Sequence, residues 1–216
     1  SAGTNARLGQ GEWLVAEADE SDGSFLRLSP QIAVVTNVDA DHLENYGGDF
    51  GQVEAAFSEF LHRLPFYGLA VLCADDPVCR GMAAEMPRHV LTYGFARDAD
   101  VRADVIAQSG QRMRFRLSLP DGPPREVTLN LPGRHNVQNA LAAAAIGWQL
   151  GADAEKVAQA LEKFEGVGRR FNVLGELQVG GKRALVVDDY GHHPRELEAV
   201  FAAARGGWPE RRLVVA

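Results

Sequence analysis

Trp13-Leu14-Val15-Ala16 runs straight into Glu17-Ala18-Asp19-Glu20-Ser21-Asp22, and Ile32-Ala33-Val34-Val35-Thr36-Asn37 runs straight into Val38-Asp39-Ala40-Asp41-His42-Leu43-Glu44. Unbroken apolar runs of this kind, rich in Val and Ile, predict strands buried on both faces of a parallel sheet. Such sheets bind ligands beyond the C-terminal ends of their strands, where both acidic clusters fall. Carboxylates and an imidazole gathered there suit a hard divalent cation and a phosphorylated substrate. Acids that follow a strand also commonly cap the next helix, and for a single cluster that account is the better one. Two clusters after two core-type strands, the second carrying His42, favour a metal.

The rest of the first half keeps the same alternation. The helix expected over 50–64 places Val53, Phe57, Phe60, Leu61 and Leu64 on one face. A strand follows at 69–73, then Asp76 as N-cap and Pro77 as first helical residue of a short helix to Met86, then a strand at 89–93. Strand and helix in turn imply a parallel wound sheet. The pattern then changes. Residues 101–107, 112–119 and 126–131 read as short strands with a turn at Asp121-Gly122-Pro123-Pro124. With no helix between them they should pair antiparallel, as a small second sheet tethered to the first.

An Ala-rich helix begins near His135 or Asn136, after Pro132-Gly133 stops the preceding strand. Asn136 and Asn139 share a face of its first turn, and amides so placed are able to read a purine edge. From spacing alone, an N-cap and a solvated helix residue explain the two asparagines better. A second helix spans 153–164, and Gly166 and Gly168 suggest a hinge, so a domain boundary is expected at 168/169. Arg169 and Arg170 are either a bidentate phosphate grip or a solvated loop. Strands at 171–179 and 182–187 follow, joined by Gly180-Gly181. The second runs into Asp188-Asp189-Tyr190-Gly191-His192-His193-Pro194 and a helix from Arg195, opening another α/β unit. Asp189 suits ribose hydroxyls or a metal-bound water and His192 suits an anion. Alternatively, the histidines fill the turn.

Composition narrows the classes. The 216 residues are 46% hydrophobic with a net charge of −7. That supports one large or two modest cores and disfavours nucleic acid as a partner, because a duplex binder carries a basic face. No apolar run reaches the roughly 20 residues that span a bilayer, so no membrane partner is expected. Cys73 and Cys79, the two cysteines, have neither zinc-site spacing nor a histidine pair, and a reducing cytoplasm fits them. The chain opens on Ser1-Ala2-Gly3-Thr4-Asn5 and stops inside an apparent strand at 213–216, which suggests a piece of a longer protein. The oligomeric state stays open, a homo-oligomer included.

Five motifs in order then carry a resemblance: EADESD at 17–22, TNVDADHLENY at 36–46, LPGRHNVQNALAA at 131–143, GVGRRF at 166–171 and VVDDYGHHP at 186–194. Together they resemble the Mur ligases, and within them the branch that adds L-alanine to UDP-N-acetylmuramic acid. The resemblance implies an α/β fold. A P-loop NTPase-like central domain, here incomplete, would occupy 1–168, and the start of a Rossmann-like C-terminal domain 169–216. It implies ATP and Mg2+, an acyl phosphate made on the muramoyl carboxylate, and attack on it by the amine of alanine, in cytoplasmic peptidoglycan precursor synthesis. On matching positions it implies that Glu17 and His42 bind magnesium and that His135, Asn136 and Asn139 hold adenine. Arg170 and Asp189 would meet the nucleotide from across the hinge, and Glu20, Ser21, Tyr190 and His192 would face the muramoyl substrate and alanine. Glu44 and His193 are both candidates to take the amine proton. A Gly-rich loop with Lys-Thr belongs to the same pattern, yet no G-x-x-x-x-G-K-[ST] occurs in this chain. The expectation is that these 216 residues alone do not ligate alanine, and that the sheet has an unsatisfied edge, with association or disorder near residue 1. The alternatives are a non-catalytic nucleotide-binding module, or a related ligase acting in tripeptide recycling or on folate.

Overall fold

The computed structural model describes residue 6 and residues 8–216. The disorder or association expected near residue 1 lies outside the described residues. Six strands form one sheet in sequence order: β1 (Ile32–Val35), β2 (Leu69–Cys73), β3 (His89–Gly94), β4 (Val101–Ser109), β5 (Arg112–Ser118) and β6 (Arg125–Leu129). β1, β2, β3 and β4 pair parallel, and β4, β5 and β6 antiparallel. Two crossovers are helical, α1 (Phe50–His62) and α2 (Pro77–Glu85). β2 is buried along its whole length, as its Leu-Ala-Val-Leu-Cys sequence requires of a central parallel strand. Asp76 caps α2 by accepting from the Cys79 backbone N–H at 2.8 Å, with Pro77 at the first helical position.

Three sequence expectations are corrected. Residues 13–16 form no strand: Leu14 and Val15 are 91% and 92% exposed. A strand exists only by exchanging hydrogen bonds with a neighbour, and 13–16 pair with no strand, not even with the open edge of β1. The three antiparallel strands are not a separate sheet either. β4 joins β3 through Tyr93↔Val101 and Gly94↔Arg102, so β4–β6 extend the main sheet. Residues 213–216 are also not a strand.

α3 (Arg134–Gln149) lies across β2–β5, and its buried Val137, Ala140, Leu141, Ala144 and Ala145 face the sheet. Small alanines let the helix axis come close to the strands, and the intervening space is filled by Leu72, Phe115, Leu117 and Leu129. α4 (Ala154–Lys163), N-capped by Asp153, packs on β6. Beyond it, β7 (Asn172–Val179) and β8 (Lys182–Asp188) form a two-stranded antiparallel sheet, followed by α5 (Pro194–Gly207). The α/β class expected from the sequence is therefore borne out: a mixed six-stranded sheet with helices and one small antiparallel sheet.

Candidate functional site

The C-terminal ends of β1 and β2, the first turn of α3 and the start of α5 surround a cleft of about 1110 Å³. Its acidic side carries Glu17, Glu20, Asp39 and Asp41, with Thr36 and Asn37 at the end of β1. The two acidic segments meet although the first is not a strand. Asn45 Nδ2 donates to the Ser21 carbonyl at 2.7 Å, and the Tyr46 hydroxyl donates to the Glu20 carbonyl. A one-turn 3-10 helix over Leu43–Tyr46 thus holds the backbone of the first segment against the second. Within the first segment, the Ser21 side chain and N–H beside Asp19 hold that carboxyl below its usual range.

Opposite lie His135, Asn136, Gln138 and Asn139 of α3, with an apolar wall that includes Leu131, Leu161, Phe164 and Val167. Gly133, at φ 93, starts α3, and His135 packs so closely on it that an added Cβ would lie 2.7 Å from the ring. Burial pushes the His135 imidazole below its ordinary value, outweighing the Asp189 carboxylate, so the ring is neutral near neutral pH. Asn136 is not the N-cap; its Nδ2 donates to the Pro132 carbonyl at 2.7 Å.

The third side comes from residues 169–216. Arg170 lines the cleft and pairs with Glu196 at 3.0 Å. Asp189 lines it too, but its carboxylate accepts from the Phe171 and Gly191 backbone N–H groups, both at 2.7 Å. Burial alone would raise the Glu196 carboxyl, but the His192 N–H, the Arg170 guanidinium and the His193 N–H together hold it below the usual range. Arg195 crosses to Asp39 at 2.9 Å, and His193 lies 4.0 Å from the same oxygen.

Of the residues expected at the site, Glu17, Glu20, His135, Asn136, Asn139, Arg170 and Asp189 line this one cleft. Four others do not line it. His42, at φ 51, sets its ring 3.7 Å from Asp41 and 3.8 Å from Glu44. Ser21 uses its N–H on Asp19. Tyr190 meets the His192 ring edge-on and lies under the Arg169 guanidinium, 4.5 Å from it. No cluster of three or more His, Cys, Asp or Glu with metal-site geometry occurs among the described residues. Sequence reasoning missed Asp39 as a cross-cleft partner, and it missed Asp75 and Gln138, which line the cleft bonded to each other at 2.8 Å. The signal for Asp75 was an acid pair before Pro77, of which the cap uses only Asp76.

Glu17, Glu20, Thr36, Asn37, Asp39 and Asp41 present carboxylate, amide and hydroxyl oxygens, which is donor chemistry suited to magnesium. The amides, the neutral imidazole and the apolar wall suit a base, and Arg170 suits phosphate.

Residues 6–147 match the family described as the Mur ligase middle domain. The UDP-N-acetylmuramate–L-alanine ligase of Xanthomonas campestris pv. campestris (strain B100) is 69% identical over all of this chain, which covers 46% of that protein. That of Xanthomonas axonopodis pv. citri (strain 306) is 68% identical over the same share. This chain therefore spans about half the length of these curated relatives. Among solved structures, the UDP-N-acetylmuramate–alanine ligase of Thermotoga maritima superposes with a TM-score of 0.73 at 30% identity, over 89% of this chain and 42% of that one. The UDP-N-acetylmuramoylalanyl-D-glutamyl-2,6-diaminopimelate–D-alanyl-D-alanyl ligase of Acinetobacter baumannii does so at 0.66 and 26% identity, over 85% and 39%. No described helix is long and apolar enough to cross a membrane. With the matching fold, the motifs in their order and a cleft lined by residues of all five, the chain belongs to the Mur ligase family.

Proposed function

We propose that this chain is the ATP-binding centre of a cytoplasmic ligase that joins L-alanine to UDP-N-acetylmuramic acid. The observation that carries the proposal is the single cleft in which carboxylates, base-reading amides and Arg170 face one another. The 69% identity to an L-alanine ligase supports the choice of amino acid. In this scheme residues 1–168 are the central domain and 169–216 begin the C-terminal domain.

The chemistry joins anions, so the site must neutralise charge. An oxygen of the muramoyl carboxylate attacks the γ-phosphorus of ATP and ADP leaves. The amine of alanine then attacks the acyl carbon, its proton is lost, and phosphate departs with the C–O bond electrons. Magnesium, when bound, supplies positive charge to the phosphate oxygens. Glu17 is the proposed ligand of one magnesium, from the cleft, and His42 that of a second, from beside Asp41. His135, Asn136 and Asn139 hold adenine. Arg170 draws the phosphates toward the hinge, and Asp189 orders residues 169–171 so that Arg170 is aimed. Glu20, Ser21, Tyr190 and His192 are assigned to the muramoyl substrate and alanine. Closing 169–216 over the nucleotide keeps water from the acyl phosphate.

The test uses the full-length protein and phosphate release with UDP-N-acetylmuramic acid and a panel of amino acids. Alanine alone should support turnover, and Glu17→Ala should lower kcat by at least about a hundredfold. Release with glutamate instead of alanine would assign the site to another Mur-type ligase. Turnover untouched by Glu17→Ala would remove the proposed centre. The 216-residue chain by itself should show no ligation, and robust turnover by it would overturn the need for a Lys-Thr phosphate loop.

A further inference from the structure

Asp75 sits just beyond the C-terminal end of β2, and none of the roles above uses it. Its carboxylate accepts three hydrogen bonds: from the Phe95 N–H at 2.8 Å, the Ala96 N–H at 2.9 Å and Gln138 Nε2 at 2.8 Å. Gly94 makes this approach possible, since a Cβ there would lie 2.7 Å from Asp75 Oδ2. The carboxylate is thereby fixed to the end of β3 on one side and to α3 on the other.

The consequence falls on Gln138. An amide side chain presents an acceptor at one end and donors at the other, and its orientation is normally free to reverse. An ionised carboxylate only accepts. Gln138 must therefore turn its NH2 to Asp75, and its Oε1 is left with no donor among the described residues in a cleft it helps to line. Asn136 is locked in the same sense, because its Nδ2 is spent on the Pro132 carbonyl. Two amides of the first turn of α3, Asn136 and Gln138, thus have their orientations set by acceptor-only partners.

Resting on the nucleotide reading of this cleft, we infer that Gln138 is a specificity-determining residue and Asp75 its positioning residue. Asp75 holds Gln138 Oε1 as a fixed acceptor that takes the exocyclic amino group of a 6-aminopurine and repels the carbonyl of a 6-oxopurine. Adenine offers N6–H donors at that edge where guanine offers O6, so an oxygen that is unable to reverse into an NH2 separates the two bases. Guanine at that edge would leave the fixed oxygen facing a second acceptor.

The experiment measures kcat/KM for ATP and for GTP in the full-length ligase, with UDP-N-acetylmuramic acid and alanine saturating. Gln138→Met keeps volume and helix propensity but removes the acceptor. It should lower kcat/KM for ATP about tenfold and hold or raise that for GTP, so the ATP/GTP ratio falls at least about tenfold. Asp75→Asn offers Gln138 a donor as well as an acceptor, frees the amide to reverse, and should also lower the ratio. If Asp75→Asn fails to fold, Gln138→Met alone decides. An equal loss for both nucleotides, or no loss for either, overturns the inference. Asn136→Ala and Asn139→Ala separate that failure from failure of the site itself. If they weaken both nucleotides while Gln138→Met leaves the ratio intact, only the role of Gln138 falls. If they too leave both KM values unchanged, the nucleotide reading falls with it.

Discussion

The six-stranded sheet with α1–α4 and the segment 169–216 are held together by different forces. In the first, Leu72, Phe115, Leu141 and their neighbours are fully buried in one continuous cluster. In the second, only Phe171 and Ala203 are buried, and Leu174, Leu177 and Val179 of the β7–β8 hairpin are each close to 60% exposed. The second region keeps its position through a few directional contacts. Gln108 Nε2 donates to the Ala203 carbonyl at 2.7 Å, Gly110 N–H donates to the Gly207 carbonyl at 3.2 Å, and Arg195 reaches Asp39. Burial is non-directional and resists any displacement, whereas a handful of hydrogen bonds exchange for water at small net cost. One side of the cleft is therefore firmly packed and the other lightly held, as the closure proposed above requires.

The sharpest way to break this contrast is a pair of truncations. Phe115→Ala should lower the unfolding free energy of the chain by about 3–5 kcal/mol, because it removes a fully buried ring. Leu177→Ala should change it by no more than about 0.5 kcal/mol. Urea unfolding measures both, and comparable losses would mean that the hairpin has a core of its own.

Gly133→Ala joins the two regions in one substitution. The new Cβ would lie 2.7 Å from the His135 ring and 2.8 Å from Ala203 Cβ, at a φ of 93 that side chains rarely adopt. The expected cost is about 1–3 kcal/mol. Unlike Phe115→Ala, it should also release α5, seen as lost amide protection over residues 194–207 in hydrogen exchange. Protection of α5 equal to wild type would show that its position does not depend on this contact.

These regions also differ in how far the sequence disclosed them. β2 and the Asp76-Pro77 helix start were legible to the residue, because an unbroken apolar run and a cap followed by proline each have a local cause. β4 joining β3 was not legible, since the Tyr93↔Val101 pairing is a tertiary choice that no period in the sequence encodes. Residues 13–16 carry a strand pattern, but a pattern states what a segment would bury and not whether a neighbour is there to pair with it. At the site, the acidic and amide motifs fall on one cleft. The paired contacts that set their orientation, Asp75 with Gln138 and Asp39 with Arg195, join residues 63 and 156 positions apart and leave no trace in spacing.

His135 probes the wall of the cleft through pH. Its buried imidazole has a folded value below the ordinary 6.5 of the unfolded chain. Above pH 6.5 both states are neutral and the residue contributes no pH dependence. As pH falls below that value the unfolded chain takes up a proton that the folded one resists, so stability declines until the folded group also titrates. Replacing His135 by Phe should flatten the decline in urea midpoint between about pH 6.5 and pH 5. An unchanged slope would place the titrating group elsewhere.

A small effect on stability is also expected from Arg195→Ala. Its ion pair with Asp39 spans the cleft, but the Arg195 side chain is 66% exposed, so the pair should contribute only about 0.2–1 kcal/mol to unfolding. Its weight lies in the balance between open and closed arrangements, because Asp39 is 16% exposed and loses its closest cation when Arg195 is removed. Arg195→Ala should therefore leave the unfolding midpoint almost unmoved while raising hydrogen exchange in α5, and added salt should reproduce part of that rise in the wild type through screening. An exchange rate in α5 indifferent to both salt and Arg195 would mean that the contacts with Gln108, Gly110 and Gly133 hold the second region down without it. The segment would then pivot about the tip of the β4–β5 hairpin and not across the acidic side of the cleft.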